Sequence, residues 1–113
     1  MHKLIAVPVD NQGILDAHFG HCKMFKLIKV EEGKVLSEEG VVPPPHEPGL
    51  LPKWLAEKGV TDILAGGMGQ QAIQLFTQNN INAFVGAPKW TAQDIVQAHI
   101  EGKLELTGNA CDH

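Results

Sequence analysis

Leu4-Ile5-Ala6-Val7-Pro8-Val9 is a nearly unbroken apolar run near the start of the chain. A strand with this pattern buries side chains on both faces, so it belongs inside a sheet that is covered on both sides. Pro8 can donate no ladder hydrogen bond and belongs near the strand's end or at an edge position. Asp10-Asn11-Gln12-Gly13 marks the turn that follows.

The remaining pattern supplies the neighbours such a strand needs. Residues 24–30 read as a second strand, punctuated by Lys26 and Lys29. Glu31-Glu32-Gly33-Lys34 reads as a hairpin connection. A third strand runs over 35–42, with a bulge expected near Gly40. Four prolines between Pro43 and Pro48 then impose a stiff, extended path. Leu51, Trp54, Leu55 and Lys58 lie at helical spacing over 50–58, with Gly59 as the left-handed stop. A fourth strand is expected over 60–65, a helix over 70–79 and a fifth strand over 81–85. Thr91-Ala92-Gln93-Asp94 resembles a capping box and opens a helix to Ile100, stopped by Gly102. Residues 103–106 read as a short extended segment, and 107–113 as a tail. The order β-β-β-α-β-α-β-α predicts one α/β domain over residues 1–113, with a mixed five-stranded sheet and helices packed on it.

Composition excludes several function classes. The 113 residues suit one core. A chain of net charge -4 without a single Arg is a poor match to nucleic-acid phosphates. No run of about 18 apolar residues offers a membrane span. The N-terminus runs straight into a strand pattern without a signal-peptide layout, so a cytoplasmic location is expected. Two cysteines in a reducing compartment read as thiols.

The chemistry-bearing side chains fall in three segments. His18-Phe19-Gly20-His21-Cys22 packs two imidazoles and a thiol around a glycine. His46 sits in the proline-rich loop beside Glu47. Cys111-Asp112-His113 closes the sequence. Thiolate with imidazole suits zinc, copper(I) or iron–sulfur species, but no paired Cys-x-x-Cys of a zinc finger is present. On spacing alone, Cys22 reads rather as a small apolar residue opening a strand, with His18 and His21 solvated. His99, four residues after Ile95, is expected to pack on a helix's apolar stripe. Gly66-Gly67-Met68-Gly69 follows a strand and opens a helix, where free N–H groups can receive an anion. It is neither a P-loop nor GxGxxG. Its alternative reading is a tight turn that lets strand and helix pack closely. No nucleophile elbow or paired carboxylates suggest an enzyme.

Taken together, these motifs resemble the dinitrogenase iron–molybdenum cofactor biosynthesis family (NifX/NifB-C-terminal-like proteins). The carrying residues are Ile5 to Asp10, His18-Phe19-Gly20-His21-Cys22, Pro44-Pro45-His46-Glu47-Pro48-Gly49, Ala65-Gly66-Gly67-Met68-Gly69 and Asn109 to His113. The proline–His loop and the tail look like a subgroup near the molybdenum-cluster-carrying orange protein. The resemblance implies a ribonuclease H-like fold without nuclease activity. It implies non-enzymatic binding, storage or delivery of an iron- or molybdenum-containing metal–sulfur cluster or its precursor, with cluster donor and acceptor proteins as partners. His18, His21, Cys22, His46, Cys111 and His113 inherit the ligand role by position. Gly66, Gly67, Met68 and Gly69, with Phe19 and Gly20, inherit the cluster-facing surface.

Two cysteines cannot supply an all-thiolate four-ligand cluster. Histidines, non-covalent anion binding or a site shared in a homodimer would complete it. The competing expectations are a mononuclear zinc or copper site built from the same residues, and a small regulatory domain whose glycine turn binds an anion or nucleotide.

Overall fold

The computed structural model describes residues 2–16, 24–43 and 50–104, with residue 2 described by its backbone alone. The elements are β1 (His2–Val9), β2 (Met24–Glu31), β3 (Lys34–Val41), α1 (Leu50–Glu57), β4 (Asp62–Leu64), α2 (Gln70–Gln78), β5 (Asn82–Phe84) and α3 (Ala92–Ile100). They form a five-stranded mixed sheet of order β3-β2-β1-β4-β5. β1 pairs antiparallel with β2 and parallel with β4; β2–β3 is antiparallel and β4–β5 parallel.

The apolar run takes the central position its pattern requires. Ile5, Ala6, Val7 and Val9 are fully buried. Their alternation feeds two cores. Ala6 joins Phe25, Leu27, Leu55, Ile63 and Phe76 beneath α1 and α2. Ile5, Val7 and Val9 join Ile28, Val30, Leu64, Ile95 and Val96 beneath α3. Each buried Val, Ile, Leu or Phe side chain contributes about 1.5–3 kcal/mol relative to exposure. Pro8 lies opposite Phe25, beyond the Ile5–Ala6 stretch that pairs with β4, so its missing N–H costs no parallel-ladder bond.

Local chemistry sets the boundaries. Asp10 Oδ1 accepts from the N–H groups of Gln12 (2.8 Å) and Ile14 (3.1 Å), closing the first turn. Glu32 and Gly33 take φ 51° and 78°, the left-handed pair of a two-residue hairpin. Gly59 ends α1 at φ 90°. The Thr91 hydroxyl accepts from the Asp94 N–H at 3.2 Å and caps α3.

Two expectations need correction. The bulge lies not at Gly40 but between Val35 and Ser37, where the register against Lys29 and Val30 shifts. Gly40 has another reason: a Cβ there would come within 3.1 Å of the Met24 sulfur. Residues 103 and 104 do not extend into a strand. Gly102 turns at φ 73° and the Lys103 N–H returns to the Ala98 carbonyl at 2.8 Å, closing α3. Residues 105 and 106 lie outside the described residues.

Candidate functional site

The sheet's polarity gathers one set of loops. β1, β3, β4 and β5 all end at the same edge of the sheet, and antiparallel β2 starts there. Order reverses beside β1: the chain moves to β2 on one side and later to β4 on the other. The carboxyl ends flanking such a switch point are the usual binding position in open α/β sheets.

Three described loops build the rim at this end. The loop after β1 carries Ile14 and Leu15, which bridge to Thr91 and Val9. The loop after β4 is Ala65 to Gly69. The loop after β5 is tied to it, because the Gly86 N–H donates to the Gly66 carbonyl at 3.0 Å and the Ala87 N–H to the Ala65 carbonyl at 3.1 Å. Gly86 makes this crossing at φ 88°. Lys89 and Trp90 project from the same loop, with Trp90 47% exposed. Sequence reasoning passed over these two residues. The signal was a large aromatic next to a cation outside any apolar period.

The glycine turn divides into two roles. Met68 is 6% exposed and packs in the core beneath α2, so its side chain supports the turn from below. Gly69 is exposed and stands at the N-cap of α2 with φ -70° and ψ 160°. Any residue adopts those angles, and a Cβ there would meet nothing within 4 Å. Close packing therefore does not require Gly69. Its consequence is chemical: α2 has no side-chain cap and no acidic residue in its first turn. The positive end of the helix dipole is left without a built-in anion.

His18, Phe19, Gly20, His21, Cys22, His46, Cys111 and His113 lie outside the described residues. Among the described residues no group of three or more His, Cys, Asp or Glu could hold a metal. The anchors of the segments are described. Asp16 donates its N–H to Pro8 at 2.9 Å, and Met24 pairs with Val9; these bracket 17–23. Pro43, two residues beyond the Val41–Phe25 pair, and Leu50 bracket 44–49. Asp16, Met24 and Pro43 stand at the carboxyl edge. The tail departs elsewhere. The last turn of α3, His99 and Ile100, shares a cavity with Lys3 and the β2–β3 hairpin residues Glu32 and Gly33 at the opposite edge.

That opposite edge holds a buried polar cluster. Asp62 is 1% exposed and accepts from Asn82 Nδ2 at 2.9 Å and from the Thr61 hydroxyl at 3.2 Å. Lys3 Nζ stands 3.8 Å away. The His99 ring packs on Phe84 with centroids 4.9 Å apart, as its helical spacing predicts. Burial lowers its pKa below the ordinary value; the Asp62 charge opposes this and Lys3 reinforces it.

The family model for the dinitrogenase iron-molybdenum cofactor matches residues 1–102. The chain belongs to this family. The family member's fold recurs in solved structures. The crystal structure of PH0822 superposes with a TM-score of 0.87 at 27% identity, covering 100% of both chains. The apo orange protein of Desulfovibrio gigas superposes at 0.74 with 22% identity, over 95% of this chain and 94% of that one. An uncharacterized protein of Methanocaldococcus jannaschii is 28% identical over 107 residues, 89% of this chain and 88% of its own. No helix among the described residues is long and apolar enough to cross a membrane.

Proposed function

We propose that this family member binds and carries an anionic metal–sulfur cluster, or its iron- or molybdenum-containing precursor, at the carboxyl edge of the sheet. The cluster is cargo, and the protein performs no reaction on it. The observation that carries this reading is the uncapped glycine turn standing at the same edge as Asp16, Met24 and Pro43. Connectivity keeps His18 and Cys22 within about 7 Å of Asp16 and Met24, two residues away at no more than ~3.6 Å each. His46 is held within about 11 Å of Pro43 by the same limit. His18, His21, Cys22 and His46 are the proposed ligands. The N–H groups at Gly69 and Lys89 would offset the cluster's charge, and Phe19, Gly20 and Trp90 would line it.

Cys111 and His113 have a harder route. β1 spans about 23 Å at ~3.3 Å per residue. The seven steps from Leu104 to Cys111 reach at most about 25 Å. The tail supplies ligands only by running back along the molecule or by serving a second copy. Cys111 and His113 are proposed as ligands by one of those two routes. One domain, a cytoplasmic location, exchange with donor and acceptor proteins and a ribonuclease H-like architecture belong to the same reading. The 3-2-1-4-5 order with antiparallel β2 supports that architecture.

The test is metal and acid-labile sulfide per chain after anaerobic reconstitution with iron, sulfide and thiomolybdate. Iron or molybdenum retained with sulfide supports the carrier. Zinc or copper retained without sulfide replaces it with a mononuclear site on the same residues. Retention of no metal refutes it.

A further inference from the structure

We infer that the amino edge of the sheet carries a second binding site, for a small polyanion of the phosphate class. A cavity of about 350 Å³ lies between the C-terminal end of α1 and the sheet, lined by Lys3, Leu4, Lys29, Lys58, Gly59 and Thr61. Its volume is roughly ten times the ~30 Å³ share of a water, ample for a compact polyanion. Two cationic side chains, Lys29 and Lys58, border it on the α1 face in a molecule of net charge -4, while Lys3 reaches its margin with its ammonium turned to Asp62. No carboxylate is among the lining residues. Gathering like charges around one concavity is unfavourable unless an anion fills it.

The Lys29 and Lys58 ammonium groups are lightly engaged, whereas Lys3 Nζ is the ion-pair partner of buried Asp62 at 3.8 Å. Lys58 Nζ stands 5.0 Å above the Trp54 ring, a contact that positions it while leaving its N–H donors unspent. Lys29 makes no ion pair among the described residues. Recognition rests on these cations, because the Thr61 hydroxyl already serves Leu4 and Asp62. The net acidic charge of the molecule around this one cationic depression selects a small anion over a nucleic acid.

The site is independent of the proposed cluster edge, and its test is separate. The full-length protein is titrated with orthophosphate, pyrophosphate and tripolyphosphate, following amide shifts by NMR. Saturable binding is expected, tightening with chain length, with shifts centred on Leu4, Lys29, Gly59 and Thr61. Each of Lys29→Gln and Lys58→Gln should weaken tripolyphosphate about tenfold, as loss of one charge-assisted hydrogen bond implies, and added salt should weaken it further. Lys58→Arg should retain binding. Thiomolybdate loading should be unchanged in the Lys29→Gln/Lys58→Gln double variant. Three results would each overturn the site: no saturable binding, shifts centred on Gly66 to Gly69, or parental affinity in a double variant whose amide spectrum remains folded.

Discussion

The two edges of this one sheet are built to opposite rules. At the amino edge, the buried charge is internally answered: Asp62 is buried against Thr61, Asn82 and Lys3, with His99 packed on Phe84 nearby. At the carboxyl edge, the described loops carry few charges, and a helix start stands uncapped at Gly69. Polar groups satisfied within the fold hold it together; those left open are available to a ligand. The contrast places the buried polar cluster that holds the fold at the amino edge and the proposed cargo site at the carboxyl edge.

Substitutions that separate the edges should separate stability from loading. The largest expected effect is on loading. Cys22→Ala should cut retained metal and sulfide to background while leaving the denaturation midpoint near parental; undiminished loading would remove the thiolate from the site. Next comes Asp62→Ala, which leaves Asn82 and Thr61 without their carboxylate acceptor. A loss of about 2 kcal/mol in urea denaturation is expected, with loading of the folded fraction unchanged. Loading that fell as far as stability would dissolve the distinction between the edges.

Gly69→Asp is a sharper probe with a smaller effect. The observed φ and ψ suit an Asp cap, and the side chain has room. Stability should rise by a few tenths of a kcal/mol, while the new negative charge lowers cluster retention. A variant that is both more stable and equally loaded would mean the helix start does not face the cargo.

The smallest effect is the pH response of the apoprotein through His99. Its folded pKa is lowered, so the unfolded chain takes up the proton first. The stability linked to this group is therefore present above the unfolded value of 6.5, declines as pH falls through it, and levels off below the folded pKa. Replacing His99 with Gln should flatten that part of the urea-midpoint profile. An unchanged slope would assign it to other histidines.

Much of this was legible in the sequence, and the misses share a cause. The run from Leu4 to Val9 announced a central strand because burial on both faces demands an uninterrupted apolar pattern. Glu32-Gly33, Gly59 and Gly102 announced their turns because left-handed backbone favours glycine. The spacing of His99 from Ile95 placed it on an apolar stripe. Features that depend on long-range pairing were not legible. The bulge falls opposite Lys29 and Val30, three or more residues before the glycine that suggested it. Asp62 sits inside a short apolar strand, and its partners Asn82 and Lys3 are remote in sequence. The family resemblance put Met68 on the cluster-facing surface, yet the turn directs it into the core. The separation of the tail's starting point from the other ligand segments depends on the direction of α3, which no local pattern encodes.

The most direct test is amide and indole shift mapping of the anaerobic protein loaded with tetrathiomolybdate. Perturbation should concentrate at Gly66 to Gly69 and at the Trp90 indole, with Lys3, Asp62 and His99 unmoved. Perturbation centred on Lys3, Lys29 and Lys58, or none at saturating cluster, would contradict a cargo site at the carboxyl edge.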